Sequence, residues 1–239
     1  MSKRIIYRQG DTITIVTMGT TSNKKIAMPK EKIVQTYHFS REQYEVAQGQ
    51  TSMREFFSHD GKVCFDCPFA VSNGAKLSAC YTHKMMQYSG FLSSLRSIGK
   101  LHESFDDIPH MDAKIHMQIV GLCEDKYVRF GTYGEPSLMP LELVGNIIKG
   151  AKSWTGYTHQ WSKKPEYAPY FMASTHTEDE ERIASLIGYR SFVASPTPIS
   201  QFISCPASEE MGFKSNCSKC GLCSGTMGKG SKSVIILEH

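Results

Sequence analysis

Seven of the eight cysteines in this 239-residue chain fall into two groups whose spacing suits metal binding. In the carboxyl-terminal run Cys217-Ser-Lys-Cys220-Gly-Leu-Cys223, thiolates recur at every third position around a short loop, and Cys205-Pro206 supplies a fourth. Four soft ligands close a tetrahedral shell, and a remote Cys-Pro is a recurrent way to complete a four-cysteine iron-sulfur set. Zinc accepts the same ligands, so the donor list leaves both metals open, with iron-sulfur favoured. The second group, Cys64-Phe-Asp-Cys67 with Cys80, has three thiols. Three ligands leave one metal position open for a substrate or cofactor; alternatively His83, His59 or Cys123 completes a structural site. Cys123, following an apolar stretch, reads first as a small core residue.

These groups need elements to hold them. Ile5-Ile6-Tyr7 and Thr12 to Val16 flank Gly10-Asp11 and predict a hairpin. Ser40 caps a short helix through Ala47. A longer helix is expected from about Thr82 to Ile98, with Met85, Met86, Phe91, Leu92 and Leu95 as its apolar stripe. Beyond Pro109, strands are read at His116–Gly121, Tyr127–Gly131, Thr155–His159, Tyr170–Ser174 and Ser191–Ala194. They alternate with helices at Pro140–Lys152 and from Thr177 through Ile187, the latter with acids in its first turn, as the helix dipole favours. Strands alternating with helices argue for parallel pairing. The expected fold is therefore α/β: a partial βα barrel of mostly parallel strands (61–203), an N-terminal β-hairpin extension (1–60) and a cysteine-rich metal-binding tail (204–239) ending in the strand Val234–Leu237. Polar groups at strand ends, Arg129, Tyr157, His159 and His176, would converge on one rim, where such folds place their chemistry. Arg129 and His159 are the candidate catalytic residues.

The segment from Val128 to Pro136, followed by a helix, resembles the second-strand motif of radical S-adenosylmethionine enzymes. The order of parts is also similar: three-cysteine loop, helix, strand, Gly-Glu-Pro. The resemblance implies that Gly134, Glu135 and Pro136 contact the methionine end of S-adenosylmethionine, while Cys64, Cys67 and Cys80 hold a 4Fe-4S cluster with one open iron. Tyr133 replaces the first glycine of the usual Gly-Gly-Glu-Pro, and the cysteine spacing of two and then twelve residues differs from that superfamily's three and two. From Cys64 to His239 the layout is also similar to a phage family called gene product eighty-eight, through Cys64-x-x-Cys67-Pro68, Cys80-Tyr81, the Arg129 strand, Tyr157-Thr158, Cys205-Pro206, the Cys217–Cys223 run and the final His239. That resemblance implies a phage or mobile-element origin and the same cysteine grouping.

Composition bounds the rest. A formal net charge of +4 announces no polyanion-binding surface, although nucleic acid or a nucleotide stays among the candidate partners, with an unknown substrate and a reductase. No segment approaches the roughly 20 apolar residues of a membrane span, and the amino terminus lacks a signal-peptide pattern. The expected setting is reducing cytoplasm, the host's if the chain is phage-encoded, where eight cysteines are better explained by metal than by disulfides. Gly228 to Lys232 reads as a solvated connection. The alternative to an iron-sulfur enzyme is a non-enzymatic, zinc-stapled phage protein that binds nucleic acid or another protein.

Overall fold

The computed structural model describes residues 3–197, 199, 201–209, 211–212 and 214–237. The hairpin turns at Gly10, whose φ of +55° suits a residue without a side chain, and joins β1 (Lys3–Gln9) to β2 (Thr12–Gly19). It is built into a sheet: β3 (Ile33–Ser40) pairs antiparallel with β2, and β4 (Tyr127–Tyr133) and β5 (Ser153–Thr155) then add in parallel. A second sheet, parallel throughout, has the order β6 (Tyr157–Thr158), β7 (Met172–Thr175), β8 (Ser191–Ser195), β10 (Val234–Leu237) and β9 (Ile203–Ser204). The chain is thus α/β, with one mixed and one parallel sheet.

Gly156 alone separates β5 from β6, so one extended segment carries the chain from the first sheet to the second. A Cβ there would lie 2.5 Å from the Phe171 ring and 3.2 Å from Phe130 Cβ. Only glycine lets the two sheets meet so closely.

Helices cover the sheets. The amino-terminal α1 (Arg41–Gln48) and α2 (Met53–Ser58) both begin with capping boxes, from Ser40 with Gln43 and from Ser52 with Glu55. They are followed by the single turn α3 (Gly61–Cys64) and by α4 (Met85–Gly99). Tyr88, Phe91, Leu92, Leu95 and Ile98 of α4 pack with Phe39, Phe56, Phe57 and Tyr133 in an aromatic-rich core. Met85 and Met86 are instead 65% and 83% exposed. The helix starts three residues later than expected, and this turns both methionines away from the buried stripe.

The segment His116–Gly121, expected to be a strand, lies within a helix, α5 (Ala113–Cys123). Asp112 caps it by accepting from the Ile115 amide at 2.7 Å. Ile115, Ile119 and Cys123 recur every four residues and are its buried positions, a helical period that outweighs the β-branched composition. Together with α6 (Leu141–Gly150), α5 covers Val128 and Phe130 of β4. The last long helix, α7 (Glu178–Leu186), links β7 to β8 behind the Thr177 cap. Because side chains alternate across a strand, Tyr127 and Arg129 project from β4 on the face opposite α5 and α6. The one-turn helix α8 (Cys217–Cys220) packs against Tyr127 there through Cys217.

Candidate functional site: two cysteine groups

Cys64 ends α3, and Phe65, at φ +46°, turns the chain sharply towards Cys67. The turn closes with the Cys67 amide donating to the Cys64 carbonyl at 3.0 Å, and Asn73 Nδ2 donates to the carbonyls of Phe65 and Cys67. Asp60, fully buried, organises the loop from within: its carboxylate accepts the Val71 and Ser72 amides, each at 3.0 Å. Cys80 joins the group from the far side, its sulfur 3.0 Å from Thr82 Oγ1. Burial first, then Asp60 and the neighbouring thiols, pushes Cys64 far up and Cys67 to about 12. Cys80 is raised as well, by burial and Asp60 against a lowering bond from Thr82. Cys64, Cys67 and Cys80 therefore share one electrostatic neighbourhood, and without a metal they are thiols at neutral pH.

The Gly134-Glu135-Pro136 turn fastens this loop to the end of β4. The Glu135 amide donates to the carbonyl of Val63, next to Cys64, at 2.7 Å. Gly134 has φ +76°, and a Cβ on it would lie 2.8 Å from His38 Cβ and 2.9 Å from the His38 carbonyl. Glu135 is only 3% exposed. Its oxygens accept the Ser137 amide at 3.2 Å, the His159 amide at 2.9 Å and the Thr158 hydroxyl. Burial still raises its pKa despite these donors. The carboxylate is thus engaged inside the protein, and what it visibly holds is the junction of the cysteine loop, β4 and β6.

Of the three candidates for a fourth ligand, His83 lies beside the group. Its ring is 3.9 Å from that of Phe57, Nε2 is 4.0 Å from Asp60 Oδ2, and buried Nδ1 has no hydrogen-bond partner. Cys123 is fully buried in the core beneath α5, where burial raises its thiol to about 12, so it is a packing residue. Among the described residues, the His59 side chain makes no hydrogen bond, ion pair or ring contact with the loop; its carbonyl accepts from Ser40 Oγ at 2.8 Å.

The tail cysteines are held more firmly. Asn216 caps α8, Gly221 at φ +66° ends it, and the amides of Cys217 and Ser218 donate to Lys25 and Ile26 carbonyls at 2.8 and 2.9 Å. The Cys205 amide donates to Ile235 in β10 at 2.9 Å. Two tyrosines flank the sulfurs, Tyr127 packing with Cys217 and Tyr157 with Cys223, and the Tyr127 hydroxyl is 2.6 Å from Thr155 Oγ1. Burial, followed by the effects of its fellow cysteines, raises Cys205 to about 11, and burial likewise raises Cys217 and Cys223. Arg190, 7% exposed, ties the loop beyond Cys223 in place, donating to the carbonyls of Leu222, Gly225 and Lys232 at 3.0, 2.9 and 2.7 Å. Gly228 to Lys232 is exposed at Lys229, Ser231 and Lys232, as expected of a solvated connection, while Gly230 sits against this guanidinium: a Cβ there would lie 2.3 Å from Arg190 Nη2.

The fold supplies grouping rather than coordination. Among the described residues, no set of three or more His, Cys, Asp or Glu side chains is arranged to hold a metal ion. The donor types nevertheless fit a soft metal. His239 lies outside the described residues.

Between the two groups stands Arg129. It is enclosed by protein yet partly accessible, and its Nη2 donates to Tyr81 Oη at 3.0 Å, next to Cys80. Burial alone would weaken its charge, but Tyr81, Tyr127, Cys217 and Tyr157 act in the opposite direction and its pKa rises. His159 and His176 follow β6 and β7 with rings stacked at 5.8 Å. His159 is held neutral, pulled down to about 4 by burial and then by His176, and its Nε2 has no hydrogen-bond partner. Phe69 of the cysteine loop packs edge-on against His176 at 4.9 Å.

Sequence reading missed Asp60, Tyr127 and Arg190. Asp60 precedes the loop by four residues and Arg190 lies outside every motif, so only the fold reveals their work; Tyr127 was legible as a strand residue but not as a sulfur partner. Comparison of the chain with family models, curated proteins and solved structures finds no match.

Proposed function

We propose that this chain is an iron-sulfur protein similar to radical S-adenosylmethionine enzymes, its two sheets forming the wall of a partial βα barrel. Cys64, Cys67 and Cys80 would hold an open cluster, and Cys205, Cys217, Cys220 and Cys223 an auxiliary one. The observation that carries the reading is that two sets of free thiols, each drawn from separate stretches of the chain, gather closely enough for their members to act on one another electrostatically. When bound, such a centre with its cofactor supplies one-electron chemistry that side chains cannot. The chain's own residues do the rest: Glu135 fixes the cysteine loop to the strand ends, Tyr127 and Tyr157 flank the tail sulfurs, and His159 stays neutral beside His176. A reductase would be the partner, in the reducing cytoplasm that eight free cysteines suit. No helix among the described residues is long and apolar enough to cross a membrane.

His83 favours a second reading. An imidazole beside three cysteines, with one nitrogen unpartnered and the other near a buried carboxylate, suits a closed Cys3His zinc site, as expected of a zinc-stapled module that binds nucleic acid or protein. Metal analysis of oxygen-protected protein separates the two. Brown protein with several irons per chain supports the first reading, and colourless protein with about two zincs overturns it. Under the first reading, Glu135→Ala should keep its iron and bind S-adenosylmethionine more weakly; unchanged affinity would remove the cofactor from the proposal.

A further inference from the structure

We infer that an open cleft between the turn before β3, the start of β5 and the loops around α8 binds the phosphate backbone of a nucleic-acid strand. The inference rests on neither reading of the metal, because Cys217 and Cys220 lie outside the lining of this cleft. The cleft has a volume of about 590 Å³, and Lys30, Lys152, Lys219 and Lys229 stand around it. All four are exposed, and among the described residues none lies within 4.0 Å of a carboxylate. The one acidic side chain in the lining, Glu31, is engaged by the protein: its Oε2 accepts the Ser218 hydroxyl at 2.9 Å and the Met28 amide at 3.0 Å. Four ammonium groups therefore face a single carboxylate around one recess.

The strand register extends this charge into a row. Ile33, Tyr127 and Ser153 pair across β3, β4 and β5, so the residues before them, Lys32, Lys126 and Lys152, stand side by side at one end of the sheet, roughly 5 Å apart in backbone. The Lys152 amide donates to the Lys126 carbonyl at 3.0 Å. Lys126 Nζ reaches a carbonyl, that of Glu124, at 3.4 Å, while the exposed carboxylates of Glu124 and Asp125 in the same turn pair with none of these lysines. The opposite end of β3 differs: there Arg41 and Lys62 are paired with Asp11, Glu42 and Asp106. Cations neutralised at one end of a sheet and left open at the other give a one-sided field that a net charge of +4 conceals. Lysines on flexible stems meet phosphates as point charges, and a row that continues beyond the recess suits a repeating polyanion better than a single nucleotide. An acidic peptide would need an apolar wall, and the lining offers only Met28 and Pro29. A bilayer presents a surface too flat to enter a recess.

The test is fluorescence anisotropy of a labelled DNA strand of about 20 thymidines against the full chain, purified without oxygen and with its metal content measured. Saturable binding is expected at about 50 mM salt, falling as salt rises with a log–log slope near −3 if about four phosphates are met. K30Q/K152Q should bind more than about tenfold more weakly, with the slope reduced by about 1. E31Q keeps the acceptor for Ser218 and Met28 but loses the negative charge, and should bind a few-fold more tightly. K84Q/K100Q removes the same charge from the two ends of α4 and should stay within about twofold of the parent. Absence of saturable binding in the parent overturns the inference. So does an affinity in K30Q/K152Q equal to the parent's, an equal loss in K84Q/K100Q, or a loss in K30Q/K152Q that is accompanied by loss of metal. Binding to phosphatidylserine vesicles through Lys30 and Lys152 without binding to DNA would replace the nucleic acid by a membrane. If the lysines bind DNA in a chain that carries no metal, the inference stands and the iron-sulfur reading falls.

Discussion

The two cysteine groups are built in different ways. The tail group is embedded: Cys223 is buried against Met172 and Val234, Cys217 packs with Tyr127, and a buried arginine holds the loop beyond it through three carbonyls. The Cys64–Cys80 loop is a chain of tight turns, tied down by Asp60 from inside and by one Glu135 amide from β4. The four-thiol group is tied to distant parts of the chain, at Lys25, Ile26 and Ile235, and the three-thiol group mostly to its own turns. A structural centre gains from a preformed cage, whereas a centre that admits another molecule needs room to adjust.

If that contrast is real, disrupting the tail should cost far more than disrupting the loop. The largest effect is expected for Gly225→Ala. Gly225 has φ +64°, and a Cβ there would lie 2.5 Å from the Pro169 carbonyl oxygen and 2.6 Å from the Tyr170 carbonyl carbon. Strain plus a backbone clash should remove about 3 kcal/mol or more, read as a lower urea midpoint and early proteolysis after Arg190. Arg190→Met leaves three buried carbonyls without their charged donor and should cost about 3 kcal/mol by the same measurement. A loss under about 1 kcal/mol would mean that the tail is no more rigid than the loop.

The loop's strongest tie is tested by Gly134→Ala, where the new Cβ would press on β3 at His38; roughly 2 kcal/mol is expected, with faster amide exchange confined to residues 61–83. Exchange that spreads into the tail would erase the distinction.

The pH response should be graded and should arise near the loop. Burial lowers His38 to about 3 and His159 to about 4, against an ordinary value of 6.5. Both imidazoles are neutral in the fold, so their contribution is complete above pH 6.5 and is lost as the pH falls towards 4. Proton-detected titration should show neither ring charging above pH 5; a midpoint near 6.5 for either would contradict its enclosure. The smallest effect is expected for Met86→Glu, within about 0.5 kcal/mol, since that side chain lies in solvent.

How much of this was readable beforehand follows from the range of the forces involved. The hairpin, β4, β8, β10, α6 and α7 are set by local patterns of apolar spacing and capping, and those patterns stand in the sequence. The cysteine groups were legible because metal-ligand spacing is local within each run. The error at α5 arose where composition and period disagreed: Ile, Val and Gly suggested a strand, but Ile115, Ile119 and Cys123 kept a helical period. The union of hairpin and parallel strands was not legible, because β3 meets β4 across nearly ninety intervening residues, and no local pattern encodes that pairing. Arg190 was invisible for the same reason, since its partners are carbonyls that any sequence would supply.

The junction at Gly156 carries a mechanical consequence. Its amide donates to the carbonyl of Cys223 at 3.2 Å, so the last tail cysteine acts as a splint across the seam between the sheets. Whatever loosens the splint frees that seam to flex, so the state of the tail would be felt where the two sheets join.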